Sequence, residues 1–429
     1  MTRTPKTPAA ERRQPVHTVY GGAQLFRADT ARRLGERALA ALAEHAPDAA
    51  DLARAIGFDG SLAETVYARV GEKLRREPVE DLRIDFEDGY GHRSDAEEDG
   101  HSRSTAREVA KGNEAGTLPP YLGIRIKPLS TELRGRALRT LELFVAELVE
   151  TGGGRLPPGF VVTLPKITAP AEVRALASAL AGLESRLGLA AGAIAIELMV
   201  ETPQSIFAAD GTIALPALVA AGGGRVTGAH FGTYDYTASL GITAAEQRMG
   251  HPACDFAKSV MQVALAGTGV WLSDGATNVL PVAPHRQPAD GSPLGAAERE
   301  ENRRAIHAAW RLHAADVRRS LVQAFYQGWD LHPAQLVSRY AALYAFFLEG
   351  LEAASERLRN FVDKAAQATL VGEVFDDAAT GQGLLNYFLR ALACGALDEA
   401  EAERRSGLTR EELAMRSFPR ILAGRLRSG

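Results

Sequence analysis

The sequence predicts an α/β protein whose main domain is a (β/α)8 TIM barrel followed by a C-terminal helical extension. Eight short apolar runs recur along the chain, and long helical stretches rich in Ala, Leu and Arg separate most of them. After Pro333 the pattern becomes helical only. Strands that alternate with helices favour parallel βαβ units, and eight such units favour a closed barrel.

Each predicted strand is a run of apolar and β-branched residues that ends near a Gly, a Pro or a charged residue. Because these runs are short and bounded, they fit buried parallel strands better than helices. In chain order the predicted strands lie at 17–22, 82–89, 122–127, 160–166, 195–202, 226–235, 269–275 and 328–333.

Between the strands, apolar residues recur at three- and four-residue spacing, which is typical of the buried face of a helix. Pro170 and Pro203 each stand where the first turn of such a helix begins, a position that suits proline. A doubly wound open sheet is the alternative architecture. Its dinucleotide-binding version has little support, because no G-x-G-x-x-G joins an early strand to a helix.

The same patterns divide the chain into four parts. We expect a disordered tail at 1–16, which has charge but no apolar segment of the kind found in a signal peptide. The barrel should span 17–339, with a charged helical insert near 286–327. We expect 340–429 to form a helical lid or oligomerisation segment.

The composition excludes several classes of function. With 429 residues and a formal net charge of −4, the chain lacks the basic character that nucleic-acid or anionic-membrane binding requires. No apolar run reaches the length of a transmembrane helix. Cys254 and Cys394 are the only cysteines, so a disulfide framework and a thiolate zinc site are excluded and a reducing, cytoplasmic location is expected.

Polar residues cluster where the predicted strands end, and in a barrel those ends converge on one catalytic face. Residues distant in the sequence can therefore share a site there. The candidates are Glu87, Asp88, Arg125, Lys166, Glu201, Asp235, Asp274 and His332.

Glu201 and Asp235 end consecutive predicted strands and form a pair of hard oxygen ligands. Mg²⁺ is commonly held by one or two protein carboxylates, with water and substrate at its other positions. Such a metal can act as a Lewis acid on a 2-oxo acid. In the alternative interpretation Glu201 only places a negative charge at the N-terminus of a helix, next to the cap residue Thr202 and the first helical residue Pro203. Asp235 is then a turn residue.

Arg125 lies in the otherwise apolar strand GIRI, where an unpaired charge would be costly. It can form a fork for a substrate carboxylate or an internal ion pair with Glu87 or Asp88. Glu87 and Asp88 can in turn hold metal-bound water or orient Arg125, although Asp88 also fits a helix cap.

Three further candidates also have a plain structural interpretation. Lys166 can cap a strand end, and His332 can fill a loop corner. Asp376 belongs to the loop GEVFDDAATGQG, which can close over the barrel as a lid and bring an acid or base, or cap the following helix.

At the strand ends the sequence resembles the HpcH/HpaI aldolase, citrate lyase β-subunit and malyl-CoA lyase group of the phosphoenolpyruvate/pyruvate-binding barrel superfamily. The motifs keep that group's order from about residue 17 to 395. They are DFEDGY with AREVAKG, GIRIK, LPKI, ELMVET, HFGTYDYTASLG, WLSDGATN, GWDLHPAQL and GEVFD.

The resemblance implies a Mg²⁺-dependent carbon–carbon lyase or aldolase, with Mn²⁺ as a second option, that assembles as a homo-oligomer, a trimer or hexamer. By that likeness Glu201 and Asp235 bind the metal, Arg125 binds the substrate's carboxylate or oxo group, and Asp376 transfers the proton. Glu87 and Asp88 support these groups. We also expect substrate contacts from Lys127, which replaces the family's Asn, and from Lys166, Gly232 and Thr233.

The expected reaction cleaves or forms a 3-hydroxyacyl-CoA of the malyl- or citramalyl-CoA type from an acyl-CoA and a 2-oxo acid. The alternatives are a CoA-independent 2-oxo acid aldolase, a malate-synthase-like acyltransferase or thioesterase, and a barrel without catalytic activity.

Overall fold

Eight parallel strands form the barrel in the computed structural model, which describes residues 13–287, 292–370 and 378–428. Each strand pairs with its neighbours in sequence, and the last pairs with the first, so the sheet is closed. The predicted fold class is therefore confirmed. The strands are β1 (His17–Gly22), β2 (Asp81–Asp85), β3 (Tyr121–Arg125), β4 (Val161–Leu164), β5 (Ala195–Val200), β6 (Val226–Phe231), β7 (Trp271–Ala276) and β8 (Gln327–Asp330).

Helices fill the connections between the strands and most of the chain that follows β8. From Thr30 to Leu265 they are α1 (Thr30–His45), α2 (Ala49–Ile56), α3 (Ala63–Arg76), α4 (Asp95–Ala115), α5 (Arg134–Thr151), α6 (Pro170–Arg186), α7 (Pro203–Ile206), α8 (Leu215–Ala221), α9 (Thr233–Ser239) and α10 (Pro252–Leu265). After β7 they are α11 (Ala296–Val322), α12 (Gln335–Glu349), α13 (Leu351–Leu370), α14 (Ala378–Ala393), α15 (Glu399–Ser406), α16 (Arg410–Ala414) and α17 (Phe418–Ser428).

Two compact units divide the described chain. The first contains the described residues up to His45 together with Glu72–Arg339 and holds all eight strands. The second contains Ala46–Gly71 and the described residues from Tyr340 onward; within it, α13 packs against α14, α15 and α17. The sequence-based boundaries and the lid or oligomerisation role of 340–429 stay predictions.

The segment expected as a helical insert near 286–327 contains α11, and this helix makes the connection from β7 to β8. No helix in the described part of the chain has the length and apolar character needed to span a membrane.

The end of β6 differs from the prediction. The strand stops at Phe231, Gly232 is the N-cap, and Asp235 lies in the first turn of α9. The prediction that Asp235 ends a strand is therefore wrong, although it still lies at the carboxyl end of the barrel. The error arises because Tyr234 and Tyr236, two residues apart, continue the alternation of a strand, whereas Gly232 follows the strand end and is the N-cap of α9.

An apolar cluster supports the two strands that precede Glu201 and Asp235. After β5, Thr202 caps α7 by accepting a hydrogen bond from the Ser205 N–H, and Pro203 occupies the first helical position, as predicted. The cluster comprises Val200, Ile206, Leu215, Ala229, Phe231, Tyr236, Cys254, Ala257, Met261, Leu265 and Phe325. Its close packing fixes the backbone at the barrel mouth.

Candidate active site

The carboxyl ends of β2, β4, β5 and β6 bring four carboxylates around Lys166. The Lys166 ammonium Nζ lies 2.5 Å from Glu87 Oε1, 3.0 Å from Asp88 Oδ2 and 3.5 Å from Asp235 Oδ2. Its main-chain N–H donates to Glu201 Oε1 at 2.7 Å. Five of the residues expected at the site therefore lie together, and Lys166 is their hub.

The backbone at Lys166 has an unusual conformation. Its φ angle is +49°, in the left-handed region that an L-residue with a side chain seldom adopts. This turn directs the main-chain N–H toward Glu201 while the side chain reaches the other three carboxylates. Strain of this kind is often found at functional sites. The alternative interpretation of Lys166, a plain strand cap, does not account for these four contacts.

Glu201 is a buried carboxyl group with an altered acidity. Only 1% of the residue is exposed. Burial, followed by the negative charge of Asp235, raises the pKa of Glu201 to about 8, against the opposing charges of Lys166 and Arg125. A bound cation would offset the repulsion between these two carboxylates.

The approach of β6 to Glu201 depends on Gly232. A Cβ atom at this position would lie 2.5 Å from Glu201 Oε2. Any larger residue must therefore displace the carboxylate.

We expect Gly232→Ala to weaken Mn²⁺ binding by roughly tenfold or more, because the new methyl group moves a proposed metal ligand. Gly228→Ala, four residues earlier on β6, is the matched control, since its Cβ would lie 3.4 Å from the nearest atom, Glu197 Oε2. Isothermal titration of Mn²⁺ into both variants checks this. Equal affinities for the two would contradict the expected role of Gly232.

Arg125 makes a two-pronged ion pair with a residue that the sequence did not single out, Asp85. Arg125 Nε lies 2.7 Å from Asp85 Oδ1, and Nη2 lies 2.5 Å from Asp85 Oδ2. Its third nitrogen, Nη1, lies 3.3 Å from Glu87 Oε2. The internal ion pair was expected with Glu87 or Asp88, but the main partner is Asp85 because strand register places it beside Arg125.

Asp85 also orders the turn that carries Glu87. Its carboxylate accepts the main-chain N–H groups of Glu87 at 3.0 Å and Gly89 at 2.7 Å. The next helix, α4, is capped by Ser94, so Asp88 is not a helix cap. The Asp88 side chain is 59% exposed and pairs with Lys166.

Lys127 and Thr233 lie outside this ion-pair network. Lys127 Nζ lies 2.6 Å from Glu98 Oε2 and donates to the Phe86 carbonyl at 2.8 Å. Thr233 is buried at the start of α9, and its Oγ1 has no hydrogen-bond partner among the described residues. Their predicted substrate contacts stay predictions.

Asp274 and His332 have structural partners, and Asp376 lies outside the described residues. Asp274 accepts from Lys258 of α10 and Ser320 of α11, so its carboxylate faces the helices. His332 Nδ1 accepts from the main-chain N–H of Ala334, which agrees with the loop-corner interpretation.

The donor set fits a divalent cation. Around Arg125 and Lys166 the described residues bring five carboxylates, those of Asp85, Glu87, Asp88, Glu201 and Asp235. The positive charges of Arg125 and Lys166 do not balance these carboxylates, so the group keeps a net negative charge. No group of three or more His, Cys, Asp or Glu among the described residues could hold a metal by itself, so water and substrate would complete a sphere begun by two carboxylates, as Mg²⁺ prefers.

Residues 6–421 match a family model whose description is "Domain of unknown function (DUF6986)". The chain belongs to the DUF6986 family. No curated protein matches this DUF6986 chain in sequence.

Several solved structures are similar to this chain. A citrate lyase from Burkholderia xenovorans LB400 is 18% identical, with a TM-score of 0.55, covering 92% of this chain and 98% of the other. A CitE protein from Mycobacterium tuberculosis in complex with magnesium and acetate is 16% identical, covering 78% and 92%, with a TM-score of 0.42. A Haloferax volcanii malate synthase in a magnesium and glyoxylate complex is 15% identical, covering 95% and 99%, with a TM-score of 0.45. The citrate lyase from Burkholderia xenovorans LB400 confirms that this DUF6986 protein shares the fold of the citrate lyase group.

Proposed function

We propose that this protein is a metal-dependent carbon–carbon lyase of the aldolase type that acts on a 2-oxo acid. The observation that carries the proposal is the set of carboxylates around Lys166, in which the buried Glu201 and the half-exposed Asp235 lie at the carboxyl end of the barrel. Active sites of this fold lie at that end.

Glu201 and Asp235 would hold Mg²⁺ or Mn²⁺. When bound, the metal supplies a Lewis acid that polarises the oxo group of the substrate. Lys166 holds the neighbouring carboxylates in place through its contacts with Glu87, Asp88 and Asp235. Its main-chain N–H orients Glu201 through Oε1, while Gly232 leaves room for Oε2.

Arg125 would bind the carboxylate of the 2-oxo acid. Its Nε and Nη2 are held by Asp85, so the guanidinium is fixed in one orientation. The remaining nitrogen, Nη1, has the longest contact, 3.3 Å to Glu87, and is the edge that a substrate carboxylate would take. A guanidinium held in this way can bind a carboxylate through Nη1 with little loss of side-chain entropy.

The proposed substrate is a 3-hydroxyacyl-CoA of the malyl- or citramalyl-CoA type. In cleavage the hydroxyl group loses its proton and becomes the oxo group of the 2-oxo acid. The carbon–carbon bond breaks, and its electron pair moves to the carbon next to the thioester. That carbon then takes a proton and leaves as the acyl-CoA.

Asp376 is the proposed donor of that proton, an assignment that rests on the sequence motif GEVFD. By the same family likeness we propose a homo-oligomer, a trimer or hexamer, in which this acid comes from a neighbouring subunit. The deciding assay incubates the protein with malyl-CoA or citramalyl-CoA and Mg²⁺ and measures the 2-oxo acid that is released. Full activity in the presence of a chelator would refute metal dependence, and release of free CoA thiol from acetyl-CoA and glyoxylate would indicate an acyltransferase.

A pH-dependent effect of the metal follows from the Glu201 carboxyl. Its folded-state pKa of about 8 lies above the ordinary glutamate value, so the folded protein binds an extra proton between those two values. Without metal, this group therefore makes the protein less stable as the pH rises through that window. A metal prefers the ionised carboxylate, so the proton competes with it at low pH.

We therefore expect Mn²⁺ to raise the melting temperature more at pH 8.5 than at pH 6. Glu201→Gln should remove both the metal effect and its pH dependence. Differential scanning fluorimetry with and without Mn²⁺ provides the measurement. An equal Mn²⁺ shift at both pH values would contradict the assignment of Glu201.

A further inference from the structure

A cavity of about 540 Å³ lies at the amino end of the barrel, opposite the candidate active site. Its rim includes the exposed residues Gly159, Gly224 and Thr268, which lie shortly before β4, β6 and β7, so the cavity is open to solvent. Its inner wall includes Arg83 and Glu197, whose side chains lie inside the barrel. A volume of this size is typical of small-molecule sites.

Two aromatic rings separate this cavity from the candidate active site. The Tyr20 hydroxyl donates to Glu197 Oε1 at 3.4 Å, and the Arg125 guanidinium lies over the Tyr20 ring at 4.8 Å. The ring centres of Tyr20 and Trp329 lie 4.3 Å apart, and neither residue lines the cavity. The cavity is therefore separate from the proposed lyase site, and its role does not depend on the proposed reaction.

The inner wall of the cavity carries buried charges, whereas the interior of a barrel of this fold is usually filled by branched apolar side chains. Arg83 lies between two carboxylates. Its Nη1 pairs with Asp81, and its Nη2 lies 3.1 Å from Glu197 Oε2. Arg225 also lines the cavity, but Glu184 holds its guanidinium with two hydrogen bonds. One guanidinium does not balance Asp81 and Glu197, so the inner wall has an excess of negative charge, which is costly in a buried place.

Glu197 Oε2 has both the space and the bonding capacity to accept a ligand. Among the described residues it accepts one hydrogen bond, from Arg83 Nη2, although a carboxylate oxygen offers about two acceptor positions. Gly228 lines the cavity beside it, and a Cβ atom there would lie 3.4 Å from Oε2. Because Gly228 has no side chain, this part of the barrel is left unfilled. Burial raises the pKa of the neighbouring Asp81, and the charge of Glu197 adds to the rise against the opposing charge of Arg83, as expected where negative charge is in excess.

The outer walls of the cavity suit an apolar body. Trp271 and Tyr121 meet edge to face, with ring centres 5.8 Å apart. Phe160, Val226 and Val270 add further apolar surface. Aromatic faces attract cations, and burial of apolar surface favours binding. An anionic ligand would be repelled by the inner wall, and a neutral one would leave the excess charge of that wall uncompensated.

We propose that this cavity is a binding site for a small organic ammonium compound. Its charged nitrogen donates to Glu197 Oε2, and its apolar body lies against Trp271 and Tyr121. The positive charge of the ligand offsets the excess negative charge that Arg83 leaves uncompensated.

Three probes of similar size and different charge test the proposal, namely phenethylamine, 2-phenylethanol and phenylacetate. Calorimetric titration at about pH 8 keeps the amine charged and favours the ionised form of the carboxyl groups. Phenethylamine should bind about tenfold more tightly than the neutral 2-phenylethanol. Phenylacetate should show no measurable binding in this cavity.

Two variants in the cavity and one outside it locate the bound amine. Glu197→Gln keeps the shape of the side chain but removes its charge, so it should abolish the preference for the amine and leave 2-phenylethanol affinity within about twofold. Trp271→Leu should weaken phenethylamine binding by roughly three- to fivefold, because it removes an aromatic wall. Asp235→Asn removes a carboxylate at the other end of the barrel, so it is the control and should keep the wild-type affinity for the amine.

Equal affinity for phenethylamine and 2-phenylethanol would refute the proposal, and so would the absence of phenethylamine binding in the millimolar range. Unchanged amine affinity in both Glu197→Gln and Trp271→Leu, or its loss in Asp235→Asn, would place the bound amine elsewhere and overturn the proposal. Melting temperatures show whether each variant is folded. Asp81→Asn is the second charge variant, and it decides the role of charge if Glu197→Gln does not fold.

Discussion

Glu201→Gln is expected to lower Mn²⁺ affinity by roughly 100-fold or more and to abolish metal-dependent cleavage, because it removes the charge of a proposed ligand without changing its shape. The fold should survive, since glutamine can still accept the hydrogen bond from the Lys166 N–H. The side chain is buried and uncharged in this variant, so its desolvation cost falls. Titration calorimetry with Mn²⁺ and a lyase assay provide the two readouts.

Asp235→Asn should have a similar effect and serves as the second variant. Glu246→Gln is a suitable control, because that carboxylate is exposed and pairs with Arg248 on the surface. Wild-type Mn²⁺ affinity in both Glu201→Gln and Asp235→Asn would refute the metal site and, with it, the proposed chemistry.

Arg125→Met is expected to lower the free energy of unfolding by about 3–5 kcal/mol, because it leaves the buried Asp85 carboxylate without its cationic partner. Asp85 is fully buried, and both of its oxygens contact the guanidinium. The same variant should lose measurable binding of pyruvate in the presence of Mn²⁺. Urea unfolding and calorimetric titration measure the two effects separately.

The double variant Asp85→Asn/Arg125→Met separates structure from binding. It removes the uncompensated charge, so much of the lost stability should return, whereas pyruvate binding should not. A double variant that binds pyruvate as tightly as wild type would show that Arg125 is only a structural partner of Asp85. Arg125→Lys should also bind weakly, because a single ammonium cannot reproduce the fork.

Most of the barrel could be predicted because the local signals agree with the fold. Each strand is a short apolar run, and the helix starts at Pro170 and Pro203 have the expected residues. The end of β6 could not be placed, because the alternation in HFGTYDY favours a longer strand, whereas the residues after Gly232 form the first turn of α9. Which face of the strand Asp274 uses was also undecided by the sequence, and its partners lie on α10 and α11.

The site was predicted less completely, since its main contacts depend on strand register. In the sequence Asp85 precedes the acidic pair Glu87 and Asp88, which fits the motif better, so Asp85 was not chosen as a candidate. Only the pairing of β2 with β3 shows that Asp85 lies beside Arg125. The hub role of Lys166 depends on a positive φ angle that the LPKI motif does not reveal. The alternation of YGG in β1 and GWD in β8 indicated strands but not that Tyr20 and Trp329 meet inside the barrel.

The left-handed backbone at Lys166 sets backbone strain against charge balance at one position. Glycine would relieve the backbone of roughly 1 kcal/mol of strain. It would also remove the ammonium group that pairs with three carboxylates at the carboxyl end of the barrel. Glycine would therefore exchange a small gain in backbone free energy for repulsion among carboxylates that have lost their cationic partner.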